Sequence, residues 1–247
     1  MNKTEILNKI YKLIELHKSG MLGGEIMPED ENPGLDIACA ENYIYFTLPM
    51  ALNYQRNSYK LWEATNKSYN DLTVADVFNP MDVIKMSDDD LRTKLLKYKI
   101  ALQPNKHIDI WKTISNTIVR DFDGDIRNLF IQNDYDIVKI KNYILSHKKN
   151  FPYLGGSKIL NYWLYVIEQY TDAKFKNRDY ITVAPDTHVI QSSEKLGLIT
   201  AAESHNPNIR DELAMRWQKV LNNTDLSPID VHTPMWLWSR GGFKQDI

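Results

Sequence analysis

Two side chains stand where backbone geometry and charge could be put to chemical use. Lys158 ends the segment Phe151-Pro-Tyr-Leu-Gly-Gly-Ser-Lys158, and Asp186 lies 28 residues further on, within Val183-Ala-Pro-Asp186-Thr-His188-Val. A Gly155-Gly156 elbow lets backbone amides approach an anion closely, and the N-terminus of the helix that follows adds positive partial charge. Gly155, Gly156 and Ser157 therefore read as a phosphate seat, or as a plain joint between two helices. A cation in the first turn opposes the helix dipole, so Lys158 has no local helical reason for its place; the alternative is a solvated lysine. Asp186 follows a proline and precedes an apolar-periodic stretch, which makes it a favoured N-cap and could be its whole role. The pairing of an amine with a carboxylate raises a functional reading above either structural one.

Other chemistries are less well supplied. A single cysteine, Cys39, provides neither an internal disulfide nor the thiolates of an iron-sulfur cluster or structural zinc site. The histidines at 17, 107, 147, 188, 205 and 232 show no HxxxH or HExxH spacing, so neither a metal nor a redox cofactor is expected. Hydrophobic residues at 43% and charged residues at 25% are ordinary for a folded water-soluble chain. The apolar runs 44–52 and 160–167 fall far short of the roughly 20 residues of a bilayer span. The N-terminal segment lacks the continuous apolar core of a signal peptide, and the expectation is a cytoplasmic protein without membrane contact. The formal charge of −2 is unevenly spread: residues 91–160 carry 13 Lys and Arg against 6 Asp and Glu, residues 1–90 carry 8 against 15. Such a basic middle could meet phosphates, or be a solvated helix surface.

The elements that must position these residues read as helices. Residues 2–19 place Ile6, Ile10, Leu13 and Ile14 on one stripe, with Gly20 as the stop and Gly23 and Gly24 beyond it. The acidic, proline-punctuated stretch 25–36 reads as a loop. An apolar run over 42–51 leads through the polar elbow Asn53-Tyr-Gln-Arg-Asn57 to a helix that Ser58 could cap. Further helices are predicted at 73–79, 87–99, 105–120, 134–149, 157–170, 187–196, 208–222 and 233–239. Strand alternation is scarce, and the fold class is all-α.

The spacing of LGGSK and PDTHV resembles the helix-hairpin-helix DNA glycosylases related to endonuclease III. In that family a hairpin of the type LPGVGRK leads to a VDTH motif; Lys158 and Asp186 fall on the nucleophilic lysine of the bifunctional members and on the essential aspartate. Lys158-Ile-Leu-Asn-Tyr, Pro228 to Thr233 and Arg240 are most similar to the archaeal 8-oxoguanine glycosylase branch. Leu102-Gln-Pro-Asn-Lys106 resembles the segment ahead of the family hairpin, and Gln55 falls where relatives insert a glutamine into the duplex. Coverage runs over about 42–240, strongest at 151–198. Three features depart from the family pattern. Leu154 takes the place of the first hairpin glycine, the iron-sulfur cysteines are missing, and His232 stands where the archaeal branch has an acidic base-reading residue, with Asp230 two positions earlier.

The resemblance implies a single two-lobed helical domain, residues 1–247, with lobes of 42–150 and of 1–41 plus 151–247 and the active site in the cleft between them. It implies a monomer that acts on double-stranded DNA containing a damaged base, 8-oxoguanine favoured, as a glycosylase and abasic-site lyase needing no cofactor. Gln55, Arg56, Asn57, Lys106, Gly155, Gly156 and Ser157 are the DNA contacts. Asp230, His232, Trp236 and Trp238 are candidates for the base pocket, with one tryptophan stacking on the extruded base. Because an ordinary lysine titrates near 10.4, Lys158 should sit in a partly enclosed cleft that lowers its proton affinity. A monofunctional glycosylase using water, and a DNA-binding module whose Asp186 is only a cap, are the alternatives.

Overall fold

The computed structural model describes residues 2–22 and 27–247, apart from the side chains of Ser157 and Asp211. Gly23, Gly24 and the first two positions of the loop expected over 25–36 lie outside the described residues. Among those described the chain is all-α; no strand forms, and the only bridge is an isolated one between Asp136 and Lys176. It divides into two compact units, one of Met1–Glu25 with Arg178–Ile247 and one of Ile26–Asn177.

Helix α1 (Lys3–Lys18) opens the smaller unit. The larger unit then contributes α2 (Ala40–Thr47), α3 (Ser58–Tyr69), α4 (Pro80–Val83), α5 (Asp88–Lys97) and α6 (Lys106–Phe122), followed by α7 (Arg127–Gln132), α8 (Ile137–Ser146) and α9 (Ser157–Tyr170). The chain returns to the smaller unit with α10 (Thr187–Lys195), α11 (Ala201–Ser204), α12 (Ile209–Leu221) and α13 (His232–Arg240). No helix among the described residues is long and apolar enough to cross a membrane.

Local chemistry explains where the helices start and break. The apolar run over 42–51 divides because Pro49 has no N–H to continue α2; a 3-10 turn, Pro49–Leu52, follows. Asn79 caps α4 through the amide of Met81, with Pro80 at the first helical position, so the stretch predicted at 73–79 is instead a 3-10 turn, Ala75–Phe78, leading into α4. The helix predicted over 134–149 begins only at Ile137: Asp134 and Tyr135 adopt left-handed backbone, and Asp136 caps α8 through Val138 N at 2.8 Å. α7 and α11 were not predicted.

Each unit has its own core. In the larger one Trp62, Trp111 and Trp163 are fully buried; Trp111 Nε1 donates to Val77 O at 2.9 Å and Trp163 Nε1 to Thr47 Oγ1 at 3.1 Å. Along α6, Trp111, Ile114, Ile118 and Phe122 recur at helical spacing and all face inward. In the smaller unit Ile10, Leu13, Val189, Leu213, Trp217 and Met235 pack together, with Trp217 Nε1 donating to Ser193 Oγ at 2.9 Å.

The division differs from the lobes expected at 42–150 and 1–41 plus 151–247. Asn42 Nδ2 donates to Tyr170 O at 2.7 Å and the Tyr43 hydroxyl to Asp172 at 2.6 Å, so α2 and α9 are locked together and the hairpin belongs to the larger unit. Lys158 therefore lies in one unit and Asp186 in the other.

Candidate functional site

The hairpin between α8 and α9 closes on itself. Tyr153 takes left-handed backbone, and the amides of Leu154, Gly155 and Gly156 donate to the carbonyls of Pro152, Phe151 and Tyr153 at 2.8, 2.9 and 3.0 Å. Those amides are thus consumed inside the turn, which corrects the expectation that Gly155 and Gly156 present them to a phosphate. The glycines serve close approach instead: a Cβ on Gly156 would lie 3.1 Å from Tyr153 O, and one on Gly155 3.3 Å from Phe151 O. Leu154, in the place of the family's first glycine, is fully buried and anchors the turn. Gly156 is the N-cap of α9 and offers no side-chain cap, so the open amides are those of the helix's first turn. Lys158 stands in that turn and is exposed, where an enclosed amine was expected. The side chain of Ser157 lies outside the described residues.

The elbow before α3 sorts its three candidates by what their polar atoms already hold. Asn57, not Ser58, caps α3 by accepting from Lys60 N at 3.1 Å. The Arg56 guanidinium donates to Ile100 O at 2.6 Å and Lys99 O at 3.0 Å, and burial pushes its pKa down to about 10. Arg56 therefore holds the fold together and its Nη atoms are not available to fill a duplex, which corrects one of the expected contacts, whereas Asn57 is exposed and caps α3 through its Oδ1 alone. Gln55 remains exposed, in left-handed backbone with φ of 50°, a conformation a non-glycine residue adopts at a cost of about 1 kcal/mol or more.

Three distant segments meet around a cavity of about 120 Å³ in the larger unit: Tyr54, Gln55 and Arg56 from the elbow, Lys106 and His107 from the start of α6, and Tyr153 from the hairpin. Lys106 Nζ lies 4.7 Å from the Tyr153 ring centroid, within cation–π range, and the Tyr54 and Tyr153 rings are 5.3 Å apart. His107 Nδ1 accepts from Leu102 N at 3.1 Å, and burial, reinforced by Arg56 and Lys106, lowers its pKa. Tyr54, His107 and Tyr153 escaped the sequence reading. The signal for Tyr153 was its place inside the hairpin already singled out.

In the smaller unit Asp186 caps α10, its Oδ1 accepting from Val189 N at 2.9 Å while Arg210 Nη1 braces the turn at Pro185 O, 3.0 Å away. It is half-buried, and among the described residues its second oxygen accepts no hydrogen bond, so capping leaves part of the carboxylate for other work. On the packed pair α10 and α13, His188 Nδ1 lies 3.0 Å from Ser239 Oγ and its ring meets Trp236 edge-on at 5.5 Å. The Arg240 guanidinium covers Trp236 at 5.1 Å.

The other base-pocket candidates are occupied structurally. Trp238 is 5% exposed, donates to Gln245 O at 3.1 Å and packs on Phe243, so it is core and not a stacking face. Asp230 takes Arg178 on both oxygens at 2.7 and 2.8 Å and also accepts from Ser227 N, fastening the 3-10 turn ahead of α13. His232 is buried at the start of α13. Among the described residues no cluster of three or more His, Cys, Asp or Glu could hold a metal ion. No protein-family model matches the sequence, and no curated protein matches it.

Proposed function

We propose that this chain is a base-excision DNA glycosylase with associated abasic-site lyase activity, acting on duplex DNA with a damaged base and favouring 8-oxoguanine. The observation that carries the reading is the convergence of the Gln55 elbow, Lys106 and the hairpin's Tyr153 on one cavity. An amide side chain, a cation and aromatic rings on one face are the chemistry that a backbone phosphate and an unstacked base require. The open first turn of α9 supplies a further phosphate contact beside it.

Asp186 stabilises the positive charge that develops on the sugar as the base departs with the glycosidic electron pair. Lys158 bonds to the sugar carbon, and the resulting imine permits elimination on the 3′ side. Trp236, which keeps an exposed portion beside His188, is the stacking candidate for the extruded base. The exposure of Lys158 favours a second reading, in which water attacks the sugar and Lys158 holds a phosphate. The test is a panel of duplexes, each with one damaged base, scored separately for base release and strand scission. Release with scission supports the first reading and release alone the second. Duplex binding with no release from any lesion leaves only a DNA-binding module.

A further inference from the structure

A second cavity in the larger unit, of about 240 Å³, shares Arg56 and Leu102 with the first and is formed by α3 and the turn that follows α5. Its charge is lopsided. Four cations, Arg56, Lys60, Lys67 and Lys99, meet one carboxylate, Glu63, and that carboxylate is ion-paired with Lys67. Lys60 and Lys99 are exposed and make no ion pair among the described residues. Elsewhere in this unit the lysines are compensated: Lys94, Lys97, Lys112 and Lys139 each hold an aspartate. The arrangement is also fixed by the fold, because the Arg56 guanidinium donates to Lys99 O and Ile100 O and so ties the turn, where Lys99 takes left-handed backbone, to the elbow before α3. Leu102, 51% exposed, and Tyr98, whose hydroxyl is anchored on Asp71, give the cavity an apolar wall.

We propose that this second cavity binds a nucleotide unit, with its phosphate between Lys60 and Lys99 and its sugar or base against Leu102 and Tyr98. Lysine amines are compact point charges that suit a phosphate, and an apolar wall suits a sugar or a base face; a small inorganic anion would leave that wall uncovered. The nucleotide has two sources. One is a link of a DNA strand that continues from the first cavity across Leu102, and this source rests on the glycosylase reading. The other is a free nucleotide, which does not depend on it.

The test compares the full chain with two double variants of equal charge change. Lys60→Gln with Lys99→Gln alters the cavity, and Lys12→Gln with Lys18→Gln alters exposed lysines of α1 in the other unit. Deoxyadenosine monophosphate and inorganic phosphate are titrated by amide NMR, and a damaged duplex by fluorescence anisotropy at several salt concentrations. In the parent and the α1 variant the nucleotide should shift the Lys99 and Leu102 amides at about tenfold lower concentration than phosphate does, and in the cavity variant it should not. Duplex affinity should fall about tenfold in the cavity variant, with the slope of log K against log salt reduced by about two, and fall less in the α1 variant. A nucleotide effect without a duplex effect makes the free nucleotide the source, and the reverse makes it the strand. Equal duplex losses in both variants with no nucleotide shifts at Lys99 and Leu102, or phosphate binding as tight as the nucleotide, overturns the assignment. Base release by the parent is scored in parallel. Release and duplex binding that survive while the cavity shows neither effect refute this inference alone, whereas a parent that neither binds nor cleaves any duplex refutes the glycosylase reading and leaves the nucleotide titration to decide the cavity.

Discussion

Single residues carry two separable expectations. Asp186→Asn preserves a side-chain oxygen for Val189 N, so α10 keeps its cap and the melting temperature should barely move. Base release should nonetheless fall by about 10²-fold or more, because the amide lacks the charge that stabilises a cationic sugar. An unchanged melting temperature with full activity would assign Asp186 to capping alone. Glu29 is a different case: it is buried, accepts from the Tyr162 hydroxyl at 2.9 Å, and burial raises its pKa to about 7, from an ordinary value of 4.5. The folded state therefore holds this proton more tightly than the unfolded chain. Its contribution is full below about pH 4.5 and is lost as pH rises through about 7, a change of roughly 3 kcal/mol. Glu29→Gln should accordingly melt above the parent at pH 8 and close to it at pH 4.5. Parallel melting curves across that range would show that Glu29 does not couple folding to protons.

At the scale of elements, the elbow between α2 and α3 separates support from contact. Asn57→Ala removes the cap of α3 and should cost about 1 kcal/mol in denaturant unfolding. Gln55→Ala touches no hydrogen bond of the fold; it should leave stability nearly unchanged and weaken binding to a damaged duplex more than to a single strand. Equal losses on both substrates would place Gln55 on the phosphate backbone and outside the helical stack. The same distinction runs through the hairpin, where the glycines permit close backbone approach and the first turn of α9 keeps its amides open.

The whole molecule is slightly acidic, with a sequence pI near 6.3, yet its basic surplus is concentrated in residues 91–160. Duplex binding should therefore weaken steeply with salt despite the net charge of −2, because counterion release follows the local phosphate contacts. Lys106→Gln should lower affinity about equally for all sequences and reduce the slope of log K against log salt by about one, measured by titration at several ionic strengths. An unchanged slope would mean that Lys106 serves Tyr153 and touches no phosphate.

Much of the architecture was legible because it depends on short-range chemistry. The stripe Ile6, Ile10, Leu13, Ile14, the termini of α9 and α10, and the capping role of Asp186 all follow from helical periodicity and from side chains that satisfy the nearest amides. Pro49 and the left-handed pair Asp134–Tyr135 interrupt that periodicity, which is why the predicted helices there came out too long or misplaced. What local pattern could not decide was where polar groups spend their bonds. Arg56 is committed to carbonyls more than 40 residues away, Asp230 to Arg178 and Trp238 to the core, while Lys106 and Tyr153 meet across nearly 50 positions. Spacing along the chain identifies which residue types could do chemistry. Only tertiary packing determines which of them remain available, because burial and long-range hydrogen bonds depend on neighbours that the local sequence does not contain.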